Sequence, residues 1–167
     1  MGVSHKTKKN EFPSMKRRID AINGEGVEVG VLQGEHAWLA SIHEYGCDIK
    51  VTPKMRAYLH ARGLHLREST THIRIPERSF LRTGYDEAKD DVLKHARMMM
   101  ADVIAGTMSE STLYKGVGIE LADAIKDYAR DLDSPGNHPF TTENKGSSNP
   151  LVDTGDMIGS ITWRKAK

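Results

Sequence analysis

The sequence predicts an α+β fold: a mainly antiparallel sheet packed against two long antiparallel helices, with an extended loop or hairpin as an insertion. Three observations predict it. Apolar residues step by three and four from Ala88 to Val103 and again from Leu113 to Leu132, the period of an amphipathic helix. Apolar and polar residues alternate over several short stretches, the period of a half-buried strand. The stretches follow the order strand, helix, strands, two helices, strand, which is not a run of strand–helix–strand repeats and so favours antiparallel pairing.

The elements follow in chain order. Residues 1–11 read as a basic, polar tail, and residues 12–167 as a single α+β domain. Phe12, Met15, Ile19 and Ile22 recur at helical spacing until Asn23-Gly24 stops them. Val27, Val29 and Val31 alternate with Glu28 and Gly30 as a strand that ends near Gly34. Ala37 to Tyr45 suits a short helix with Trp38, Ile42 and Tyr45 on one face and Gly46 at its C-terminal cap. Cys47, Ile49 and Val51 make a second strand up to Pro53, and Ile73 and Ile75 a third, closed by Pro76. Between them, residues 53–71 are an insertion that suits either an extended hairpin about Arg62-Gly63 or a helical turn from Lys54 to His60.

The two long helices meet at a short connection near Gly106–Glu110, with Ser109 or Ser111 as the N-cap of the second. Gly116 and Gly118 each weaken that helix by about 1 kcal/mol against alanine, a cost that suits a close approach by another backbone. Residues 134–150 are a long loop by composition, rich in Pro, Gly, Ser and Asn. Ile161 and Trp163, alternating about Thr162, form the last strand.

Composition narrows the function classes. With 24 basic and 23 acidic side chains the net charge is +1, so no overall field draws the chain to nucleic acid or anionic lipid. The single cysteine, Cys47, leaves no intrachain disulfide and suits a reducing cytoplasm. The start is not patterned as a signal peptide, and no run approaches a membrane span. A core built from 38% apolar residues is thin, and favours burial against partners.

Catalytic chemistry finds little foothold. His43-Glu44-Tyr45-Gly46-Cys47 begins like a zinc-protease helix, but Cys47 stands where the second histidine is needed. His60, His65 and His72 lack metal-ligand spacing. No catalytic, cofactor-binding or metal-binding residue is expected. Arg56, Arg62, Arg67, Arg74, Arg78 and Arg82 cluster in the middle third, but Asp48, Glu68, Glu77, Asp86 and Glu87 are interleaved. Ion pairs within or between subunits therefore outweigh phosphate contacts as their expected role.

Three ordered segments carry a resemblance. They are Ala40-Ser41-Ile42-His43-Glu44-Tyr45-Gly46, then Ile75-Pro76-Glu77-Arg78-Ser79-Phe80-Leu81-Arg82, then Asn149-Pro150-Leu151-Val152-Asp153-Thr154-Gly155-Asp156-Met157 with Ser160-Ile161-Thr162-Trp163. In this order and spacing the chain resembles the tail-completion or neck proteins of long-tailed bacteriophages, also labelled virion-morphogenesis or minor tail components. Ser79 departs from the family pattern, which has proline there.

The resemblance implies a structural, non-enzymatic virion protein of the head–tail junction, made in the host bacterial cytoplasm. It would form a homo-oligomeric ring between the head connector or adaptor and the tail terminator or tail tube, with passing contact to phage DNA and none to membrane. Glu44, Gly46, Pro76, Arg78, Phe80, Leu81, Pro150, Leu151, Asp153, Thr154 and Gly155 would be structural or assembly positions. Arg56, Arg62, Arg67, Arg74 and Arg82 would line the channel or pair between subunits. Within these motifs Phe80-Leu81 is expected to anchor the chain before a helix, and Asp153 to cap amides of a tight turn. Two other classes compete: a nucleic-acid-binding module built on the central arginines, and a metal-dependent hydrolase built on the histidines.

Overall fold

A computed structural model describes residues 10–166. The basic tail lies almost wholly outside them. The elements run α1 (Phe12–Ile22), β1 (Val27–Gly30), α2 (Glu35–Tyr45), β2 (Cys47–Lys50), α3 (Pro53–Ala61), β3 (His72–Ile75), α4 (Phe80–Ala105), α5 (Glu110–Asp131), α6 (Pro139–Lys145), α7 (Asp156–Gly159) and β4 (Thr162–Lys165).

The fold mixes helix and strand as expected, but no sheet dominates it. The strands form two separate two-stranded antiparallel ladders among the described residues, β1 with β4 and β2 with β3. Val27 faces Lys165 and Gly30 faces Thr162 in the first, and Cys47 faces Ile75 and Lys50 faces His72 in the second. Two strands of four residues bury little in each ladder, so most of the core comes from the helices.

The centre is the α4–α5 pair. Gly84 of α4 lies against Ile125 and Tyr128, whereas Met99 lies against Gly116. Rising numbers on one helix meet falling numbers on the other, so the two are antiparallel. An added Cβ at Gly84 would sit 3.3 Å from the Cα of Ile125, which places glycine at a point of close helix contact. Ser109 is the N-cap of α5, its hydroxyl accepting from Thr112 N at 3.2 Å. Gly106 closes α4 with a left-handed φ of 83°. Phe80, Val92, Leu121, Ala122, Ile125 and Ala129 are joined in one cluster by Ala40, Leu151, Met157, Ile158 and Ile161.

Gly118 has a specific reason to be there. The indole of Trp163 on β4 lies over it, and a Cβ would fall 2.3 Å from Trp163 Cδ2. What approaches is a ring rather than a backbone. Gly118→Ala must expel the indole from the helix surface. Overpacking of this kind costs about 1–3 kcal/mol, which exceeds or cancels the gain of about 1 kcal/mol in helix propensity. Urea denaturation in a Trp38→Phe background should show a lower midpoint and red-shifted Trp163 emission; an unchanged midpoint and spectrum would contradict the contact.

Three local expectations are decided by the structure. Of the two readings of the 53–71 insertion, the helix over Lys54–His60 holds and the hairpin does not. β2 and β3 pair on either side of it, and it opens with α3, where Pro53 stands in the first turn and Thr52 Oγ1 accepts from Met55 N. Arg56 then gathers the following loop by donating to Leu66 O, Arg67 O and Thr70 O. The 134–150 stretch is not all loop, since it contains α6, which begins at Pro139 with His138 as its cap. Finally, α4 starts at Phe80, so Phe80 and Leu81 form the first turn of the helix rather than the approach to it.

Candidate functional site

The three motif segments, far apart in sequence, share one core cluster through Ala40, Phe80 and Leu151, and the first two touch where the C-terminus of α2 meets the N-terminus of α4. The contact begins with the backbone. Gly46 has φ +71°, and a Cβ there would stand 2.9 Å from both Glu77 N and Ile75 O. Only glycine lets the chain after β3 cross the end of α2 so closely. Pro76 follows the last strand residue, and Arg78 N donates to His43 O at 2.7 Å.

Glu44 is the hinge of the contact. It sits in the last turn of α2 and is only 2% exposed. Its Oε2 accepts from Leu81 N at 2.8 Å, and its Oε1 accepts from Arg82 N at 3.1 Å and Arg82 Nε at 2.8 Å. Ser79 makes no side-chain cap, so Glu44 caps α4 from another helix. It satisfies orphan amides at the positive end of that helix dipole. Arg82 also donates to Glu44 O and to Glu77 Oε1, and its guanidinium lies over the Tyr45 ring at 4.9 Å.

Arg78 ties in the late loop. It is 3% exposed and has no carboxylate partner among the described residues. Its Nε donates to Pro135 O at 2.7 Å, and its Nη2 to Gly136 O at 3.0 Å and Asn137 Oδ1 at 3.2 Å. Its Nη1 donates to His43 Nδ1 at 3.2 Å. Burial pulls the Arg78 guanidinium down from its ordinary value. Burial, with the Arg78 and Lys145 charges alongside, pushes His43 down to about 4. His43 is therefore a neutral imidazole at physiological pH.

The third segment docks through Asn149. Its Nδ2 donates to Arg130 O at 2.6 Å and Leu132 O at 3.2 Å, and its Oδ1 accepts from Leu151 N at 2.8 Å and Val152 N at 3.0 Å. One side chain thus closes the end of α5 and shapes the next turn. Pro150 and Leu151 are buried behind it. The expected cap by Asp153 is not formed: Asp153 is exposed, and Thr154 bonds Asp156 through both its hydroxyl and the Asp156 amide. Threonine's shorter reach suits the turn that Gly155 makes at φ +89°.

The central arginines do not form one patch. Arg56, Arg78 and Arg82 are engaged within the chain, and Arg62 stacks on Tyr58 at 5.6 Å. Arg67 and Arg74 are exposed, and neither has an ion-pair partner among the described residues. The histidines likewise part company. His60 and His65 stand edge to face at 4.3 Å, His72 pairs with Thr71, and His43 belongs to Arg78. Among the described residues no group of three or more His, Cys, Asp or Glu side chains is placed to hold a metal ion, and no helix is long and apolar enough to cross a membrane.

Sequence reasoning placed Glu44 and Arg78 in the right motifs but missed Asn137 and His43 as partners of Arg78. A signal for Glu44 was present. An acid in the last turn of a helix opposes the dipole of its own helix, which suggests that it serves another one. No family model, no curated protein and no solved structure matches the chain.

Proposed function

We propose that this chain is a structural component of the head–tail junction of a long-tailed bacteriophage, acting by assembly and not by catalysis. In this reading it forms a homo-oligomeric ring between the head connector and the tail terminator or tail tube, around a channel that passes DNA. The ordered motif segments support the family. Their polar groups are spent on holding backbone, with Glu44, Arg78 and Asn149 each saturated by amides or carbonyls.

One observation carries the assembly reading. The Glu44–Arg82 contact holds the end of α2, whose outer face carries Trp38 and Tyr45, 71% and 66% exposed, with Arg82 over the Tyr45 ring. Large aromatics and arginine are the side chains that carry most binding energy in interfaces, and two such aromatics exposed on one helix face suit a surface covered by a partner. Each described strand also keeps one unpaired edge. For the competing nucleic-acid reading, only Arg67 and Arg74 of the central set remain uncommitted, too few for a steep salt-dependent affinity.

The test is made in virions of the phage that encodes the chain. Cryo-electron microscopy of the neck should show a symmetric ring of this subunit with Trp38 buried at a subunit boundary. Trp38→Ala with Tyr45→Ala should leave the urea midpoint nearly unchanged while the subunit disappears from particles and heads and tails fail to join. Normal incorporation of the double variant, or a single off-axis copy, would refute the assignment of this face.

A further inference from the structure

A cleft of about 260 Å³ opens on the opposite face of α2, between His36, Leu39 and His43, the α6 residues Thr141 and Lys145, and the Pro150–Met157 stretch. Hydrogen-bond donors without acceptors gather along it. Asn137 Oδ1 accepts from Arg78 Nη2, which fixes the amide so that Nδ2 is the free end; that nitrogen is buried and has no partner among the described residues. The Arg78 guanidinium has only protons to give. The His43 nitrogen facing it, Nδ1, must therefore accept, and the ring proton sits on Nε2, which has no partner among the described residues. Lys145 Nζ reaches only Pro150 O, at a weak 3.4 Å, and burial together with Arg78 holds its ammonium below the ordinary range despite the pull of Asp153.

Buried donors are rarely left unpaired in native proteins. Here Asn137 Nδ2 is the one buried side-chain donor without a partner among the described residues, His43 Nε2 and Lys145 Nζ stand along the same cleft, and Asp153 is the one acid in the lining. Leu39, Leu151 and Met157 supply an apolar wall. We propose that this cleft binds a carboxylate carried on a short apolar stem, with Asn137 Nδ2, His43 Nε2–H and Lys145 Nζ as its donors. The carboxylate comes either from a small free acid or from an acidic side chain of another protein chain. The site does not depend on the assembly reading, because its residues are on the other face of α2 from Trp38 and Tyr45.

The test is a titration of the full-length, ¹⁵N-labelled protein followed at the Asn137 side-chain amide. Butyrate should move that resonance and the His43 ring nitrogens saturably, while butyramide, of the same shape without the charge, should not. Lys145→Met should weaken butyrate about tenfold, the usual scale for a lost charge-assisted bond, without a change in the urea midpoint. Asp153→Asn should tighten it by removing the like charge. A capped tripeptide with a central glutamate, set against its glutamine counterpart, separates the sources. Tighter binding of the peptide than of butyrate assigns the carboxylate to a protein chain, and the reverse assigns it to a small acid. Equal shifts from butyramide, absence of saturation with either acid, or unweakened binding by Lys145→Met would overturn the proposal and leave the cleft a hydration site only.

Discussion

Glu44→Ala is expected to lower the free energy of unfolding by about 3 kcal/mol. Its carboxylate accepts from two backbone amides and one guanidinium at 3.1 Å or less. Hydrogen bonds to a charged group contribute about 1.5–3 kcal/mol, and an N-cap about 0.5–2 kcal/mol. Arg82 is half exposed, so water recovers its share, and the loss falls on Leu81 N and Arg82 N. Those amides open α4, and no other side chain among the described residues caps them. Glu44→Gln keeps the shape and one accepting oxygen, and should lose roughly half as much. Urea denaturation of the three proteins checks the order. A change below about 1 kcal/mol for Glu44→Ala would show that α4 does not depend on α2 for its start. Hydrogen exchange gives the local reading: the first turn of α4 should lose protection before the rest of the helix.

The second large effect is expected at Arg78. Arg78→Met removes donors to Pro135 O, Gly136 O, Asn137 Oδ1 and His43 Nδ1 in one step. Truncating one side of a buried polar network leaves the other side unpaired, at about 2–4 kcal/mol here, where the stranded carbonyls are near enough to the surface to admit water. Arg78→Lys keeps the charge but not the planar fork that serves four acceptors, so it should recover little. Limited proteolysis should locate the damage, with new cleavage between Asp133 and His138 in both variants. If Arg78→Lys were as stable and as protease-resistant as the parent, the fork geometry would not matter and a buried charge alone would explain the position.

These two variants bear on the proposed assembly role in different ways. Glu44 holds the end of α2, the helix that carries Trp38 and Tyr45, so if the proposed assembly role is right its loss should weaken incorporation into particles even at temperatures where the chain stays folded. Arg78 holds the late loop against α2, and its loss should open the cleft at His43 and Lys145 first. The contrast separates the outer face of α2 from its inner one, with the same helix serving as scaffold for both.

Residues near one another in sequence decided most of the local structure. The steps of three and four from Ala88 and from Leu113 are enough for two long helices, because a helix is a local object whose apolar stripe is written in its own period. The strands at Val27, Cys47 and Ile73, the cap at Ser109 and the breaks at Asn23 and Gly106 were legible for the same reason. The sequence also marked the motif positions, though not their work.

Tertiary structure alone decided the rest. Whether four short strands make one sheet or two depends on pairings such as Val27 with Lys165, and alternation says which side of a strand is apolar but not which strand lies beside it. The first two turns of α4 were invisible because their cap arrives from Glu44, 37 residues earlier. The short α6 was hidden in a loop-like composition that His138 and Arg78 organise from outside. The site was missed in the same way. A neutral His43, an orphan Asn137 amide and a desolvated Lys145 are properties of neighbours in space, and desolvation has no signature along a chain.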